Sequence, residues 1–342
     1  MPKLVIDMAG APPVWAIPPW AEEEIRRALP AGWDVTVVPA APDAPDDRPS
    51  AAALEAVRGA EIYLGMGVPR ELFRAATAEP DRLRWVHTGA AGVGSALFPE
   101  MLASPVVLTN SAGVMGHPMA ETIMAMVLYF ARGLDRAVAS MRTRTWSKDA
   151  IYDPAAGVRE VSDATIGVIG LGGIGRQVAA RAHALGMRVL ATRRSPGGSE
   201  DGVELLHGRA GLLTLLAESD YVVLTLPATP ASRGLIGPAE LARMKPGAVL
   251  VNVARGSTVD EEALVEGLRA GRLRGAGLDV FAQEPLPPES PLWDLTNVLI
   301  LPHVSAVTPR YWRRETDLIL DNLRRYLAGK PLRNVVDKAQ GY

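Results

Sequence analysis

Short apolar runs recur along the chain, separated by segments with the pattern of helices or loops. In the first third these runs are KLVIDM, WDVTVVPA, EIYLGM, RLRWVHTG and PVVLTNSAG. Segments such as AEEEIRRAL and ELFRAATAEPD lie between them. This alternation predicts βα units and a parallel sheet. The segment 40–50, AAPDAPDDRPS, is rich in proline and acidic residues, so we predict a surface loop there.

A second series of apolar runs follows a long helical segment. That segment, MAETIMAMVLYFARGL, starts at Met119 and is apolar on nearly every face, so its helix must be buried. We expect it to pass between two domains and also to contact a partner subunit. The later runs are TIGVIG, RVLATR, YVVLTLP, AVLVNVA, GAGLDVF and NVLILPH. Between the fourth and fifth, TVDEEALVEGLRAG predicts a helix with Asp260 as N-cap and Gly271 at its end, and the tail TDLILDNLRRYL predicts an amphipathic helix.

Composition narrows the class of protein. With 342 residues, two domains are favoured over one, because single cores stop growing near about 250–300 residues. The net charge of −2 gives no basic field that would attract nucleic acid or an acidic membrane.

The chain has 0 cysteines, which excludes disulfides, thiolate metal sites and a cysteine nucleophile, and we predict no metal ion. The N-terminus predicts a strand rather than a signal peptide, and no apolar stretch approaches the roughly 20 residues that span a bilayer, so we expect a cytoplasmic protein.

A glycine-rich segment follows the first strand of the second series. Gly170, Gly172 and Gly175 fit the pattern G-x-G-x-x-G within GLGGIG, between a predicted strand and a predicted helix. Such a loop lets the backbone turn tightly and approach a pyrophosphate, whose charge faces the helix start. We therefore predict a dinucleotide site at Gly170, Gly172, Gly173, Ile174 and Gly175. A glycine-rich turn of purely structural use is the weaker alternative.

Two arginines stand where a dinucleotide site usually has an acidic residue. In NAD sites an Asp or Glu about 20 residues after the glycines binds the ribose hydroxyls. Arg193 occupies that position, and Arg194 and Ser195 follow it. Guanidinium groups bind a 2′-phosphate that a carboxylate would repel. We therefore predict NADPH as the cofactor, with NADH as the alternative. Two solvated surface arginines are the plainer interpretation.

Three polar residues follow late strands of the second series. Arg255 comes after VLVNVA, Glu284 after GLDVFAQ and His303 after NVLILP. The carboxyl ends of parallel strands share one edge of a sheet, so these residues are expected to converge. Arginine binds a carboxylate in a fork, histidine transfers a proton near neutral pH, and a glutamate beside it favours the imidazolium. Each alone is compatible with a surface or capping role, whereas the three together behind a nucleotide loop predict catalysis.

The order of these motifs resembles the D-isomer-specific 2-hydroxyacid dehydrogenase family. Between Ala120 and Val307 the similar motifs are AETIMAMVL, IGVIGLGGIGRQVA, LTLPATPASRGLI, MKPGAVLVNVARGSTVDEEALVEGL, GAGLDVFAQEPLPPESPLW and NVLILPHVSAVT. GAAGVGSAL, LTNSAG and GKPLRNVVD extend the resemblance to both ends. It implies an α/β fold with two doubly wound parallel-sheet domains and an intervening cleft. These are a discontinuous flavodoxin-like substrate domain, 1–113 and 309–342, and a Rossmann dinucleotide-binding domain, 114–308.

The resemblance also implies roles for individual residues. Arg255 would bind the 2-oxo acid, and His303, paired with Glu284, would be the proton donor or acceptor. Asp279 and the backbone around Val253 would hold the nicotinamide, with Pro227 and Thr229 along the cofactor. Backbone N–H groups of Ala91, Gly92 and Val93 would bind the substrate carboxylate, although the residues alone predict only a turn there. Gly94 departs from the aspartate of many relatives, and Glu284 argues against formate dehydrogenase, which has glutamine.

The positions of four tryptophans give an indication of the size and polarity of the substrate. Trp15 and Trp20 lie in the loop after the first strand, GAPPVWAIPPW, and Trp293 and Trp312 flank the second domain's site segments and could also reach the cleft. If these rings wall the pocket, it suits a bulky apolar 2-oxo acid. If instead they cover a hinge or a subunit contact, they say nothing of the substrate. For His87 and His117 we expect structural roles.

The sequence thus predicts an NADPH-preferring reductase that converts a 2-oxo acid to the D (R) 2-hydroxy acid. One alternative is a glyoxylate or hydroxypyruvate reductase with a small polar pocket. The other is a non-catalytic, dinucleotide-sensing binding protein, which the intact set of Arg255, Glu284 and His303 disfavours. The expected partners are a small-molecule substrate and a second copy of the chain in a homodimer, with neither nucleic acid nor membrane.

Overall fold

The computed structural model describes residues 1–9, 13–40, 48–79, 82–153, 156–193 and 200–341. Most of the surface loop predicted at 40–50 lies outside these residues. The chain divides into two compact units, one formed by Met1–Met115 with Val307–Tyr342 and the other by Gly116–Ala306. In the described residues no helix is long and apolar enough to cross a membrane.

The described strands are β1 (Lys3–Asp7), β2 (Asp34–Val37), β3 (Ile62–Gly65), β4 (Trp85–Thr88), β5 (Val107–Asn110), β6 (Thr165–Ile169), β7 (Arg188–Thr192), β8 (Val203–Leu206), β9 (Tyr221–Leu224), β10 (Val249–Asn252), β11 (Gly275–Leu278) and β12 (Val298–Ile300). The described α-helices are α1 (Pro19–Arg27), α2 (Ala51–Ala56), α3 (Arg70–Ala76), α4 (Pro99–Ala103), α5 (Gly116–Ala131), α6 (Leu134–Thr143), α7 (Asp149–Tyr152), α8 (Gly173–Ala184), α9 (Gly208–Glu218), α10 (Pro238–Arg243), α11 (Glu261–Arg269) and α12 (Tyr311–Leu327).

The first unit is built on a five-stranded parallel sheet in the order β2-β1-β3-β4-β5. This is the flavodoxin-like order, whose direction reverses between β1 and β3. Apolar side chains cover both faces of the sheet. One face packs against α2, α3 and α4, and the other against α1 and α12. The last helix of the chain therefore completes the core of the first unit.

The second unit is built on a seven-stranded parallel sheet in the order β12-β11-β10-β9-β6-β7-β8. The order reverses between β6 and β9, which is the switch point of a Rossmann sheet, where ligands bind at the carboxyl ends of the strands. Six of its strands lie where the apolar runs predict them. β8 was not predicted, because this edge strand is only partly buried and exposed Glu204 interrupts its apolar pattern.

The apolar helix α5 is buried within the second unit. Its Met126 and Phe130 lie against β11 at Gly277 and Gly275, where an added Cβ would come within 2.8 Å of Met126 Sδ and 2.5 Å of Phe130 Cε1. Glycine at both positions lets helix and sheet pack closely. Contact with its own sheet thus accounts for the burial of this face, and the predicted partner contact remains a prediction.

The helix predicted over TVDEEALVEGLRAG is confirmed as α11. Asp260 is its N-cap, and the Asp260 side chain accepts a hydrogen bond from the backbone N–H of Ala263 at 3.0 Å. Gly271 follows the helix with φ of +66°, a left-handed conformation that glycine adopts without strain. This helix lies between β10 and β11 and so connects the strands that carry Arg255 and Glu284 at their ends.

Candidate active site

The glycine-rich segment joins β6 to α8 at the switch point of the second sheet. Gly170 has φ of +105°, and a Cβ there would lie 2.9 Å from the backbone nitrogen of Leu226. A Cβ on Gly175 would lie 2.3 Å from the carbonyl oxygen of Gly170. Both positions thus require glycine. Gly172 differs, because a Cβ there would meet nothing within 4 Å and the residue is exposed.

This segment suits the pyrophosphate of a dinucleotide. Gly172 leaves open space in front of the backbone, and Gly173, Ile174 and Gly175 form the first turn of α8. The first turn of a helix has backbone N–H groups without intrahelical acceptors and carries the positive end of the helix dipole. An anionic group can therefore approach the backbone of this turn closely.

The loop after β9 lies beside the glycine segment. Thr225 Oγ1 donates to the carbonyl of Gly170 at 2.7 Å. Further along, Ser232 Oγ donates to the carbonyl of Pro227 at 2.8 Å and accepts from the backbone N–H of Thr229, also at 2.8 Å. Pro227 and Thr229 thus belong to a fixed turn at the switch point. Their predicted contact with the cofactor stays a prediction.

Arg193 directly follows β7, the strand next to β6, and is partly buried. The carbonyl of Thr192, the residue before it, accepts hydrogen bonds from the backbone N–H groups of Gly170 at 3.0 Å and Leu171 at 2.9 Å. The backbone at Arg193 is thus tied to the glycine segment. Arg194 and Ser195 lie outside the described residues.

Arg255, Glu284 and His303 follow three neighbouring parallel strands, β10, β11 and β12. The structure brings two of the three side chains into direct contact, because Glu284 Oε2 lies 2.6 Å from His303 Nδ1. The other oxygen, Glu284 Oε1, accepts from the backbone N–H of Phe281 at 3.0 Å, which holds the carboxylate in place. Both side chains remain accessible, with 52% of His303 and 35% of Glu284 exposed.

His303 has φ of +55°, which is uncommon for a residue other than glycine. Within the described residues its Nε2 has no hydrogen-bond partner, so Glu284 holds one ring nitrogen and leaves the other for a ligand.

The strained backbone at His303 is held in place by Asp279, a fully buried side chain. Asp279 Oδ1 accepts from the backbone N–H of Val304 at 2.8 Å, and Oδ2 accepts from that of Ser305 at 3.1 Å. Asp279 thus positions the turn that presents His303, a function the sequence did not indicate; its predicted contact with nicotinamide stays a prediction.

Arg255 is exposed, and its Nη1 donates to the carbonyl of Ala254 at 2.7 Å. Its backbone is held by Asn252, which accepts from the N–H of Ala254 at 3.0 Å and donates to the carbonyl of Arg255 at 3.1 Å. Val253, within the same turn, buries its side chain in the core and leaves only backbone for a ligand. The turn therefore presents the guanidinium at the end of β10.

Gly256 explains how the Arg255 turn reaches the Glu284 loop. A Cβ on Gly256 would lie 1.9 Å from the carbonyl carbon of Phe281, so only glycine lets the two backbones meet. Neither Gly256 nor Asn252 was predicted as a site residue. The available signal was weak: one glycine after the arginine, and one polar residue ending an otherwise apolar strand.

The predicted substrate loop, Ala91, Gly92 and Val93, lies in the first unit after β4. Val93 is buried, whereas Gly92 is exposed. The amide of Asn110 donates to the carbonyl of Ala91 at 2.8 Å. In the described part of the chain, no group accepts a hydrogen bond from the backbone N–H of Ala91, Gly92 or Val93. These N–H groups therefore remain available to an anion.

Trp15 and Trp20 both have neighbours within the first unit. The Trp15 ring packs edge-to-face on Tyr311 with 5.0 Å between centroids, and the guanidinium carbon of Arg313 lies 4.8 Å from the centre of the Trp20 ring. Their predicted role as pocket walls stays a prediction. Trp312 is buried in the first unit, where its Nε1 donates to the carbonyl of Val14 at 3.2 Å, and its predicted reach into the cleft stays a prediction.

The remaining tryptophan, Trp293, and the two histidines, His87 and His117, lie at the surface or in structural contacts. Trp293 is 52% exposed in the second unit and donates to the carbonyl of Pro287 at 2.9 Å. His117 Nδ1 lies 3.2 Å from Arg181 Nη2. His87 is fully buried in the first unit. These contacts agree with the structural roles expected for the two histidines.

Comparison with known proteins places the chain in a family. Residues 124–305 match the family model described as D-isomer specific 2-hydroxyacid dehydrogenase, NAD binding domain. A curated relative from Yersinia enterocolitica, named glyoxylate/hydroxypyruvate reductase B, is 37% identical over 295 residues, which cover 85% of this chain and 88% of the relative. A relative of the same name from Pectobacterium carotovorum is 36% identical over 317 residues, which cover 92% of this chain and 95% of the relative.

Solved structures give the same result. The D-isomer specific 2-hydroxyacid dehydrogenase of Xanthobacter autotrophicus Py2, in complex with NADPH and MES, has a TM-score of 0.81 at 32% identity and covers 100% of this chain and 99% of its own. The NADPH-dependent glyoxylate/hydroxypyruvate reductase of Sinorhizobium meliloti, in complex with NADP and sulfate, has a TM-score of 0.79 at 28% identity and covers 100% of both chains.

A flavodoxin-like sheet, a Rossmann sheet with a glycine-rich loop, and a paired histidine and glutamate define an oxidoreductase of the dinucleotide-dependent class. The chain belongs to the D-isomer-specific 2-hydroxyacid dehydrogenase family. The fold class and the family predicted from the sequence are both confirmed.

Proposed function

We propose that the protein is an NADPH-dependent reductase that converts a 2-oxo acid to the D (R) 2-hydroxy acid. The observation that carries this proposal is the 2.6 Å contact between His303 Nδ1 and Glu284 Oε2 at the strand ends beside Arg255. Such a set suits proton transfer to an oxygen and binding of a carboxylate, the two operations that reduction of a 2-oxo acid requires of the protein.

The second unit carries the residues proposed to hold the cofactor. The first turn of α8 would bind the pyrophosphate, and Arg193 with Arg194 and Ser195 would bind the 2′-phosphate. Bound NADPH supplies the hydride for carbon 2 of the substrate. The relatives solved with NADPH and NADP support this choice of cofactor.

His303 is the proposed proton donor. Its Nε2 would give a proton to the 2-oxygen of the substrate, while Glu284 holds the ring through Nδ1 and stabilises its protonated form. Asp279 contributes by holding the backbone after His303. In oxidation of a hydroxy acid, the same nitrogen accepts the proton.

Two anion-binding groups would hold the substrate carboxylate. Arg255 keeps guanidinium N–H groups beyond the one bonded to Ala254, and these can form a fork with a carboxylate and polarise the neighbouring carbonyl. Backbone N–H groups of Ala91, Gly92 and Val93 are the second proposed group. Together they would fix the orientation of carbon 2, and hence which of its faces is reduced.

Two versions of the proposed function differ in the size of the 2-oxo acid that is reduced. A bulky apolar 2-oxo acid follows from Trp15 and Trp20 as pocket walls. The names of the curated relatives instead favour glyoxylate or hydroxypyruvate. A dinucleotide sensor without catalysis is disfavoured, because a paired histidine and glutamate serve proton transfer.

A substrate panel tests the proposal. Glyoxylate, hydroxypyruvate, pyruvate and phenylpyruvate are assayed at steady state with NADPH and with NADH, and the product is resolved on a chiral column. We expect turnover with NADPH, a lower kcat/KM with NADH and a D product. The ratio of kcat/KM for phenylpyruvate to that for glyoxylate decides the pocket size. NADPH binding without oxidation by any 2-oxo acid would indicate a sensor and overturn the proposal.

A homodimer and a cytoplasmic location also belong to the proposal. Met141 and Trp146, 76% and 90% exposed at the end of α6, supply apolar surface suited to a subunit contact. Light scattering on the purified chain measures the mass directly. A monomer at micromolar concentration would exclude a stable dimer.

A further inference from the structure

Four consecutive carbonyls, starting at the last residue of β4, are all bonded to the interior of the first unit. They belong to Thr88, Gly89, Ala90 and Ala91. Their donors are, in that order, the Ser111 hydroxyl at 3.0 Å, the Tyr311 hydroxyl at 2.8 Å, the Ser111 backbone N–H at 3.2 Å and the Asn110 amide at 2.8 Å. A trans peptide points its carbonyl and its N–H in opposite directions. Bonding the Ala90 and Ala91 carbonyls inward therefore turns the N–H groups of Ala91 and Gly92 outward, whereas the N–H of Gly89 is bonded to the carbonyl of Gly65 at 2.8 Å.

Tyr311, the first residue of α12, reaches the loop because Gly89 has no side chain. A Cβ on Gly89 would lie 2.7 Å from the Tyr311 hydroxyl oxygen and 2.9 Å from Met66 Sδ. Burial, together with the negative charge of nearby Glu315, raises the pKa of Tyr311, so its hydroxyl stays protonated and donates to the Gly89 carbonyl. The ring packs against Trp15 and Trp312, which fixes where the hydroxyl points.

Glu315 lies one helical turn after Tyr311 and is fully buried. Its Oε1 lies 2.9 Å from Ser111 Oγ and 2.7 Å from His87 Nε2. The other nitrogen of His87 lies 2.8 Å from Thr109 Oγ1. Buried polar groups are costly unless they are hydrogen-bonded, so this cluster specifies one arrangement of Ser111. The Ser111 backbone N–H donates to the Ala90 carbonyl, and the Ser111 hydroxyl oxygen lies 3.0 Å from the Thr88 carbonyl oxygen.

We propose that Tyr311 and Glu315 are positioning residues that fix the backbone from Thr88 to Ala91 and so direct the backbone N–H groups of Ala91 and Gly92 toward the substrate carboxylate. The inference rests on the function proposed above. It assigns to α12 a part in substrate affinity, although neither side chain touches the reacting atoms. Tyr311 acts through the Gly89 carbonyl, and Glu315 acts through Ser111.

Tyr311→Phe tests the proposal, because it removes one hydroxyl and keeps the ring. The full chain is assayed for KM and kcat with glyoxylate, for Ki with oxamate, an unreactive 2-oxo acid analogue, and for Kd with NADPH. We expect KM and Ki to rise about fivefold to tenfold, the effect of one lost hydrogen bond. The Kd for NADPH should stay within about twofold, and kcat should fall by less than KM rises.

Tyr326→Phe is the matched control on the same helix. The Tyr326 hydroxyl lies 2.7 Å from Glu61 Oε1 and bonds no residue of the loop. It should lower the melting temperature without changing KM. If Tyr326→Phe raises KM as much as Tyr311→Phe does, the effect is one of helix stability and the proposal is wrong.

Ser111→Ala is the second variant, since it removes the hydroxyl that lies between Glu315 and the Thr88 carbonyl. It should raise KM and Ki in the same way. Unchanged KM and Ki in both Tyr311→Phe and Ser111→Ala, with an active wild-type enzyme, would overturn this inference alone. A wild-type chain without turnover on any 2-oxo acid would overturn the proposed function and this inference together.

Discussion

His303 Nδ1 lies 2.6 Å from Glu284 Oε2, although 19 residues separate them in the chain. They meet because β11 and β12 are adjacent and parallel, so that both residues follow strands at the same edge. The contact holds one nitrogen of the ring and leaves Nε2 facing away from the carboxylate. This arrangement is the one that the proposed proton donor requires.

His303→Ala removes the proposed proton donor. We expect kcat to fall by about 10²-fold or more, the usual effect of losing a general acid, while the Kd for NADPH is unchanged. Steady-state rates and fluorescence titration measure the two quantities. His207→Ala is the control, because His207 is an exposed histidine at the start of α9. An unchanged kcat in His303→Ala would remove the catalytic assignment.

Arg255→Lys keeps the positive charge but removes the planar fork. We expect kcat/KM for 2-oxo acids to fall about 10-fold to 100-fold, since one charge-assisted hydrogen bond is worth about 1.5–3 kcal/mol. The exposed Arg269→Lys in α11 should leave kcat/KM unchanged. If Arg255→Lys behaves like this control, the clamp lies elsewhere.

Arg193→Asp places a carboxylate at the end of β7. A carboxylate repels a 2′-phosphate and accepts hydrogen bonds from ribose hydroxyls, so the preference should move from NADPH toward NADH. The ratio of kcat/KM for the two cofactors measures the change, and retained turnover with NADH shows that the variant is folded. A constant ratio would mean that Arg193 does not contact the 2′-phosphate.

Gly256→Ala forces apart the backbones at Arg255 and Phe281. The added Cβ would lie 1.9 Å from the Phe281 carbonyl carbon, so we expect the free energy of unfolding to fall by about 1–3 kcal/mol and kcat/KM to fall with it. Gly267→Ala is the matched control. It lies within α11 with 3.8 Å to its nearest neighbour, and should raise stability by about 0.5–1 kcal/mol without changing kcat/KM. Normal kcat/KM in Gly256→Ala would show that the close approach is not needed for catalysis.

Asp7→Asn probes a carboxylate at the end of β1. Burial raises the pKa of Asp7 from its ordinary value of 3.8, against the opposing effect of the hydrogen bond from Tyr63. The folded state thus binds the proton more tightly than the unfolded state, and Asp7 costs stability as the pH rises through its folded pKa.

Asparagine keeps the acceptor for Tyr63 without the buried charge. We expect Asp7→Asn to raise the free energy of unfolding at neutral pH, with the gain disappearing as the pH falls below 3.8. Urea unfolding across a pH series measures this dependence. Exposed Asp34→Asn serves as the control. A variant that is less stable than wild type at every pH would contradict the prediction.

The fold and the chemical residues were predictable because their signals are local. Apolar runs marked eleven of the twelve strands listed above, and Arg255, Glu284 and His303 each lie within a few residues of the end of such a strand. β8 was missed because an edge strand with one exposed face lacks a continuous apolar run.

The supporting roles were not predictable, because they depend on contacts between residues that are distant in the sequence. Gly256 lets its backbone approach that of Phe281. Asp279 accepts a hydrogen bond from the backbone of Val304, and Tyr311 donates one to the carbonyl of Gly89. Trp312 is an example of a residue whose position in the sequence suggested more than its contacts support. It is close in sequence to the site segments of the second domain, whereas the structure buries it in the first unit as part of α12. Sequence distance carries no information about such pairs.

The last helix sets an order for the biogenesis of the protein. The second unit is one continuous stretch, Gly116–Ala306, and all of it is synthesised before α12. The first unit begins earlier but must keep a face of its sheet uncovered until Ile319 and Leu323 arrive. The glycine-rich segment that is proposed to bind the dinucleotide is therefore synthesised before Tyr311, so the predicted substrate loop is held in place later than that segment.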